Sequence, residues 1–407
     1  MIDQLIKIGQ ELEPGLRDLF SNEAYRRMII GVSLDVDPYW EAAELFSLYG
    51  RFDRWYDRFD GYIGKRPNYR DGYEYFDSLY GSLYRTRRAL ENIPADFDYR
   101  PGNWSSYCIS MRYPRDASPV LIRVSINAPL NPNDERFPTV FRERFAIIYE
   151  EKKTPAKLIT TDLTDFAKKI SSRLFSRRYG AAPEVFSEDH SQSGTIGGIL
   201  RGVLTNKLYL VTCGHVLGDK GSIALSGKRG RRRLGEVVHF AMPPVSLTPD
   251  ACSAITHPDE RSVDISVVAL QVPNSDIPDI ENLTVPGSIT PVSEIRINDE
   301  ITFLGKKSGR VKARMGPLTL WYPFEQKGIQ RCFGSVFMLK PVQKQYVTEA
   351  IARPGDSGAW VINDVGLAPK WYGMVTATED GAAYGCFAEF IVNSAENGIG
   401  EGLKCID

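Results

Sequence analysis

Arg353-Pro354-Gly355-Asp356-Ser357-Gly358-Ala359-Trp360 places a serine on a glycine-lined loop just ahead of an apolar strand pattern. Alone, it reads as a surface turn made of ordinary turn formers. Two other stretches of the same half change that reading. Leu208-Tyr209-Leu210-Val211-Thr212-Cys213-Gly214-His215 is an apolar strand running into small residues, which let a tight turn present an imidazole at the strand's end. Val263-Asp264-Ile265-Ser266-Val267-Val268-Ala269-Leu270 sets an acid at the mouth of another strand. Around them, residues 194–407 break many short strand patterns with Gly, Pro, Asn and Asp, the signature of a sandwich or barrel.

The chemistry explains why these three residue types matter together. A serine hydroxyl is a poor nucleophile at neutral pH and needs an adjacent base. An imidazole serves if a buried carboxylate fixes its tautomer and stabilises the imidazolium. Ser357 is then the nucleophile, His215 the general base and Asp264 the residue that orients it. Charge developing on a carbonyl oxygen needs donors, and the backbone N–H groups of Gly355 and Ser357 are the candidates. Taken singly, a histidine ending a strand is a core residue and an aspartate beside one is a cap. Their joint occurrence in the all-β half carries the reading.

The three segments resemble the His, Asp and Ser blocks of the chymotrypsin-like (trypsin-superfamily) serine peptidases, in that family's chain order. Gly355-Asp356-Ser357-Gly358 is similar to the family's nucleophile motif throughout, and Thr212-Cys213-Gly214-His215 departs from its His block at Cys213. The resemblance covers about 194–395. It implies two six-stranded antiparallel barrels with the site between them, an acyl-enzyme mechanism and no cofactor. It also implies a specificity pocket floored by Ile351 and walled by Met374-Val375-Thr376-Ala377-Thr378, with Thr376, Ala377 and Thr378 binding substrate and Gly385 opposite. An apolar floor cannot neutralise Lys or Arg, so a medium apolar or aromatic residue is expected before the scissile bond. Val216 stands where secreted relatives place a disulfide cysteine, and Ile196-Gly197-Gly198 lies too close to His215 to be a freed activating terminus. The likeness is therefore to intracellular bacterial or plant-type enzymes, whose Lys/Gly-rich hairpin Gly305-Lys306-Lys307-Ser308-Gly309-Arg310-Val311 resembles.

The expected fold class is α+β and multi-domain. Residues 1–95 read as a helical regulatory or adaptor domain. One segment opens at Asp37-Pro38 and continues through Leu45, Leu48, Tyr49, Phe52, Tyr56 and Phe59. A second carries Tyr73, Phe76, Tyr80, Leu83, Tyr84 and Leu90, and the plain reading of both is two helices packed together. Residues 96–160 read as a small β-containing module with strands over 107–113, 120–126 and 145–149. A helix over 162–176 and a polar stretch make 161–193 a connector, leaving 194–407 as the peptidase domain. In size and helix content, residues 1–95 resemble the small death-like adaptor modules that bacterial conflict systems fuse to trypsin-like peptidases. A defence role and an adaptor partner through 1–95 are the corresponding expectations.

Lys and Arg number 50 against 51 Asp and Glu, and the net charge of −1 argues against a polyanionic partner for the whole chain. The basic run Lys228-Arg229-Gly230-Arg231-Arg232-Arg233 has no interleaved aromatic and reads as a solvated hairpin tip, so nucleic acid is not an expected partner. Cys252, His257 and His239 match no strong ligand spacing, and no metal is expected. Six scattered cysteines read as reduced thiols, and no signal or membrane segment is evident, which points to the cytoplasm. The expected partner is a protein substrate. The competing readings are a triad esterase, against which stands the absence from this sequence of Gly-x-Ser-x-Gly on an α/β pattern, and a non-catalytic scaffold with a degenerate site.

Overall fold

The computed structural model describes residues 2–21, 28–36, 120–127, 138, 140–142, 145–151, 156–158, 182–189, 191–227, 232–246, 252, 263–342, 351–365, 368–379 and 381–406. The chain divides into two compact units. The larger comprises Met1–Ile8, Thr154–Pro341 and Gln345–Asp407, the smaller Gly9–Lys153 and Val342–Lys344. Helix α1 (Ile2–Leu19) begins in the first and continues in the second.

The smaller unit carries β1 (Ile29–Val36), β2 (Val120–Ile126), β3 (Val140–Phe141) and β4 (Phe145–Glu151). β1 lies antiparallel to β2, β2 parallel to β4, and β3 antiparallel to β4. Leu34, Ile122 and Ile147 are fully buried, and Arg123 Nε donates to Asp35 at 2.8 Å. β1 corrects the helical reading of 1–95 over its own length. Ile29-Ile30-Gly31-Val32-Ser33-Leu34 is rich in β-branched residues and alternates, and its partner β2 lies far along the chain, beyond the reach of a local pattern. The aromatic segments over 37–95, the strand over 107–113 and the helix over 162–176 lie outside the described residues.

The larger unit begins with β5 (Ala156–Leu158), β6 (Glu184–Phe186), β7 (Ser193–Thr195), β8 (Gly198–Gly202), β9 (Leu208–Thr212) and the short helix α2 (Gly214–Leu217). It continues with β10 (Ile223–Ser226), β11 (Arg232–Ala241), β12 (Val245–Ser246), β13 (Ile265–Leu270), β14 (Ser288–Ile289), β15 (Glu300–Gly305) and β16 (Gly309–Gln326). Then come β17 (Ile329–Phe333), β18 (Val336–Pro341), β19 (Trp360–Asn363), β20 (Lys370–Glu379), β21 (Ala382–Phe387), helix α3 (Ala388–Ile399) and β22 (Leu403–Cys405). One antiparallel sheet runs β22-β8-β9-β13-β11-β10-β6-β7. A second set pairs β15 with β16, β16 with β18, β18 with β21, β21 with β20 and β20 with β19, and β19 pairs in turn with β15. The described residues are mostly β, with few helices. β6 lies in the stretch read as linker, and β7 begins at its last residue. At three residues each, they are too short for an alternating pattern to register.

Two features tie the strands together. The Trp360 and Trp371 rings stack with centroids 3.8 Å apart, and any side chain at Gly197 or Gly198 would enter the Trp360 ring. That contact, rather than an activating terminus, accounts for the glycine pair. Cys252 and Cys332 form a disulfide with Cα atoms 5.1 Å apart, which corrects the reading of six reduced thiols. The partners stand 80 residues apart, so no spacing announced them, and the argument for a reducing compartment falls with the thiols. Cys213, Cys386 and Cys405 keep their thiols, and Cys108 lies outside the described residues. Among the described residues no helix is long and apolar enough to cross a membrane.

Candidate active site

Antiparallel pairing of β9 with β13 sets Thr212 opposite Ser266, so the end of one strand and the start of the other share one edge of the sheet. His215 follows β9 on α2, and Asp264 immediately precedes β13. Gly214 makes the approach feasible, since a Cβ there would lie 3.0 Å from both the Ala241 carbonyl and the Asp264 carboxylate. Gly218 ends α2, and the Ser266 hydroxyl donates to its carbonyl at 3.1 Å.

The Asp264 carboxylate accepts two hydrogen bonds from one residue, the His215 backbone N–H at 3.0 Å and Nδ1 at 2.5 Å. His215 Nε2 lies 2.9 Å from Ser357 Oγ, whose hydroxyl is also 3.2 Å from the Thr376 carbonyl. With the Nδ1 proton committed to Asp264, the Nε2 lone pair faces the serine. Asp264 and Ser357 are fully buried, and His215 is 5% exposed. A buried carboxylate with both oxygens hydrogen-bonded is an effective anchor, because the low-dielectric surroundings strengthen the bonds.

The serine loop is held from two sides. Thr195 N–H donates to the Ser357 carbonyl at 2.7 Å, and its hydroxyl donates to the Gly355 carbonyl at 2.8 Å. Both residues expected to offer oxyanion donors are thus anchored through their carbonyls to one threonine. Gly355 and Gly358 have φ of 104° and 96°, a region L side chains rarely occupy. At Gly358 a Cβ would also lie 2.2 Å from the Thr195 carbonyl. From the other side, the Asp356 carboxylate accepts the backbone N–H groups of Lys307 at 2.7 Å, Ser308 at 3.1 Å and Arg353 at 2.8 Å. The turn between β15 and β16 therefore clamps the loop. The sequence reading missed Thr195 and this role of Asp356; Gly305 fits the clamp because a Cβ there would sit 2.3 Å from Asp356 Oδ1.

Of the residues expected to line a pocket, Ile351 is 8% exposed, while Thr376 and Ala377 are buried on β20, with Thr378 next to them. Gly385 pairs with Val375, and a side chain there would meet the Phe337 ring at 2.5 Å. His239 Nε2 lies 3.0 Å from the Ser394 hydroxyl, Cys252 is in the disulfide, and His257 lies outside the described residues. Arg232, at the end of the basic run, pairs with Asp276. The one group of three potential ligand atoms among the described residues is Cys213, His215 and Asp264, within 4.8 Å of one another. The Cys213 thiol donates to the Val375 carbonyl at 3.2 Å. Burial, and secondarily the Asp264 charge, push that thiol well above its ordinary pKa, and the same causes push Cys386 up to about 12. Burial thus holds both sulfurs as thiols.

No family model matches the chain. No curated protein matches it either. Solved structures do match. A Nocardiopsis protease aligns at 14% identity over 56% of this chain and 98% of its own, with a TM-score of 0.34. A glutamic acid-specific serine protease aligns at 11% identity over 56% of this chain and 99% of its own, also with a TM-score of 0.34. A Cellulomonas bogoriensis chymotrypsin aligns at 14% identity over 56% and 97%, with a TM-score of 0.30.

Proposed function

We propose that this chain is a serine endopeptidase that cleaves a protein substrate through an acyl-enzyme. The observation that carries the proposal is the continuous hydrogen-bond chain from Asp264 through His215 to Ser357. Ser357 Oγ attacks the scissile carbonyl carbon as its proton passes to His215 Nε2, and Asp264 stabilises the imidazolium. The tetrahedral oxyanion is met by the N–H groups of Gly355 and Ser357. Collapse breaks the C–N bond, with the His215 proton leaving on the amine. Water then adds by the reverse sequence to free the carboxylate and restore Ser357.

The two strand sets correspond, in this reading, to the two six-stranded barrels of the chymotrypsin-like fold. His215 and Asp264 come from the first and Ser357 from the second. The clamp on Asp356 supports activity without a freed amino terminus, because backbone N–H groups of the chain itself already satisfy the carboxylate. Ile351 and β20 form the pocket and select an apolar residue before the scissile bond. The N-terminal half regulates the enzyme and receives an adaptor protein, in an antiviral setting. The test is a fluorophosphonate probe on the full chain, with the adduct mapped by mass spectrometry. An adduct on Ser357 that disappears in Ser357→Ala and His215→Ala supports the reading. No adduct in the unaltered chain or in the strand-release variants described below would make it a binding scaffold instead.

A further inference from the structure

We propose that residues 156–158 are an internal, substrate-like strand lying in the peptide groove of this enzyme. The groove accordingly takes an extended peptide that buries apolar side chains at alternate positions on the acyl side of the cleaved bond. The inference rests on the peptidase reading and deepens it.

β5 is only three residues long, yet it pairs on both sides. It runs antiparallel to β20, with Leu158 opposite Ala377 and Lys157 opposite Thr378. It runs parallel to β16, with Ala156 opposite Phe324 and Lys157 opposite Glu325. Ala156 is fully buried and Leu158 is 5% exposed, while Lys157 faces solvent. This is the way a pleated peptide fills a slot between two strand edges, with backbone bonds supplying affinity and alternate side chains supplying selectivity.

The direction of β5 connects it to the chemistry. The residue before Ala377 on β20 is Thr376, whose carbonyl lies 3.2 Å from Ser357 Oγ. Because β5 is antiparallel to β20, its C-terminal end is the one directed toward the nucleophile. A peptide in this slot therefore offers the residues that precede the attacked bond. Phe324 on β16 and Tyr384 on β21, the strand on the other side of β20, form an aromatic pair with centroids 5.0 Å apart, and Tyr384 lies opposite Ala377. Ser357 is fully buried as the chain stands, consistent with an occupied site. A strand tethered in the groove nine-tenths of the time lowers the apparent affinity for any other peptide about ten-fold. Ala156–Leu158 is thus both a brake and a template of the preferred substrate.

Full-length chain, Leu158→Asp, Leu158→Ala and Lys157→Ala are compared for acylation of Ser357 by a fluorophosphonate and for hydrolysis of an Ala-Lys-Leu-containing reporter peptide. The expected order is unaltered chain and Lys157→Ala slowest and equal, Leu158→Ala faster, and Leu158→Asp faster by about ten-fold or more. Capped Thr-Pro-Ala-Lys-Leu should then inhibit the released variants by raising KM with kcat unchanged, and Thr-Pro-Ala-Lys-Asp should not. If Leu158→Asp does not fold, Leu158→Ala with the peptide competition decides the matter alone. Equal rates in all four proteins with no inhibition by the peptide overturn the inference. Adduct on Ser357 with no rate change sinks only the strand, whereas no adduct in any variant sinks the peptidase reading itself.

Discussion

Asp264→Asn separates the proposed catalytic arrangement from the fold that holds it. The carboxylate accepts the His215 backbone N–H at 3.0 Å and Nδ1 at 2.5 Å. An asparagine keeps the first bond through Oδ1 and turns its NH2 group toward Nδ1. The imidazole must then accept at Nδ1, which moves its proton to Nε2. That nitrogen, 2.9 Å from Ser357 Oγ, becomes a donor and can no longer take the hydroxyl proton. Loss of the correct tautomer in such a relay costs about 10⁴ in turnover, or about 5 kcal/mol of transition-state stabilisation. The folding cost is smaller, about 1–2 kcal/mol, since one charge-assisted bond is weakened while an ionised group leaves a dry interior. The assay is the second-order rate of fluorophosphonate acylation of Ser357, measured in the unaltered and Leu158→Asp backgrounds, with urea midpoints for each protein. A rate within about ten-fold of the parent, in a variant of unchanged melting, would refute the claim that Asp264 sets the tautomer.

Three further outcomes follow from the same geometry. Gly358→Ala should cost at least about 2 kcal/mol in urea denaturation, because φ of 96° is strained for alanine and its Cβ meets the Thr195 carbonyl at 2.2 Å; an unchanged midpoint would show that the loop relaxes freely. Breaking Cys252–Cys332, by reductant or Cys332→Ser, opens a constraint across 80 residues and should lower stability by about 4 kcal/mol on the chain-entropy argument, read as a shift in the urea midpoint. Glu401 is lowered from 4.5 to about 2, first by the Thr205 hydrogen bonds and also by those from Tyr209 and Leu204. A depressed carboxylate contributes stability that is present above its unfolded pKa and lost as pH falls toward the folded one. Glu401→Gln should therefore flatten the fall in melting temperature between pH 4.5 and 2, and an identical profile would remove the assignment.

The readable parts of this chain are those whose physics is local. Residues 208–215 and 353–360 each carry a strand pattern, small residues at a turn and one candidate reactive side chain, and 263–270 carries an acid directly before an alternating strand, all within reach of a few peptide units. Thr195 carries no such signal, because its role arises from meeting residues that stand far along the chain. The same holds for β1, whose partner β2 comes late in the sequence, and for Cys252, whose bond to Cys332 depends on a Cα approach of 5.1 Å.

What composition, motif and order singled out were the candidate reactive groups and the β character of the half that carries them. What required three dimensions was everything that depends on which strand lies beside which. The β9–β13 register brings His215 and Asp264 to one edge, the β15–β16 turn satisfies Asp356, and β5 enters the slot between β16 and β20. Backbone hydrogen bonds are chemically identical in every strand, so side-chain order along the chain leaves pairing between distant segments open. Only burial summed over the whole unit selects one set of partners, and that sum has no representation in any short stretch of sequence.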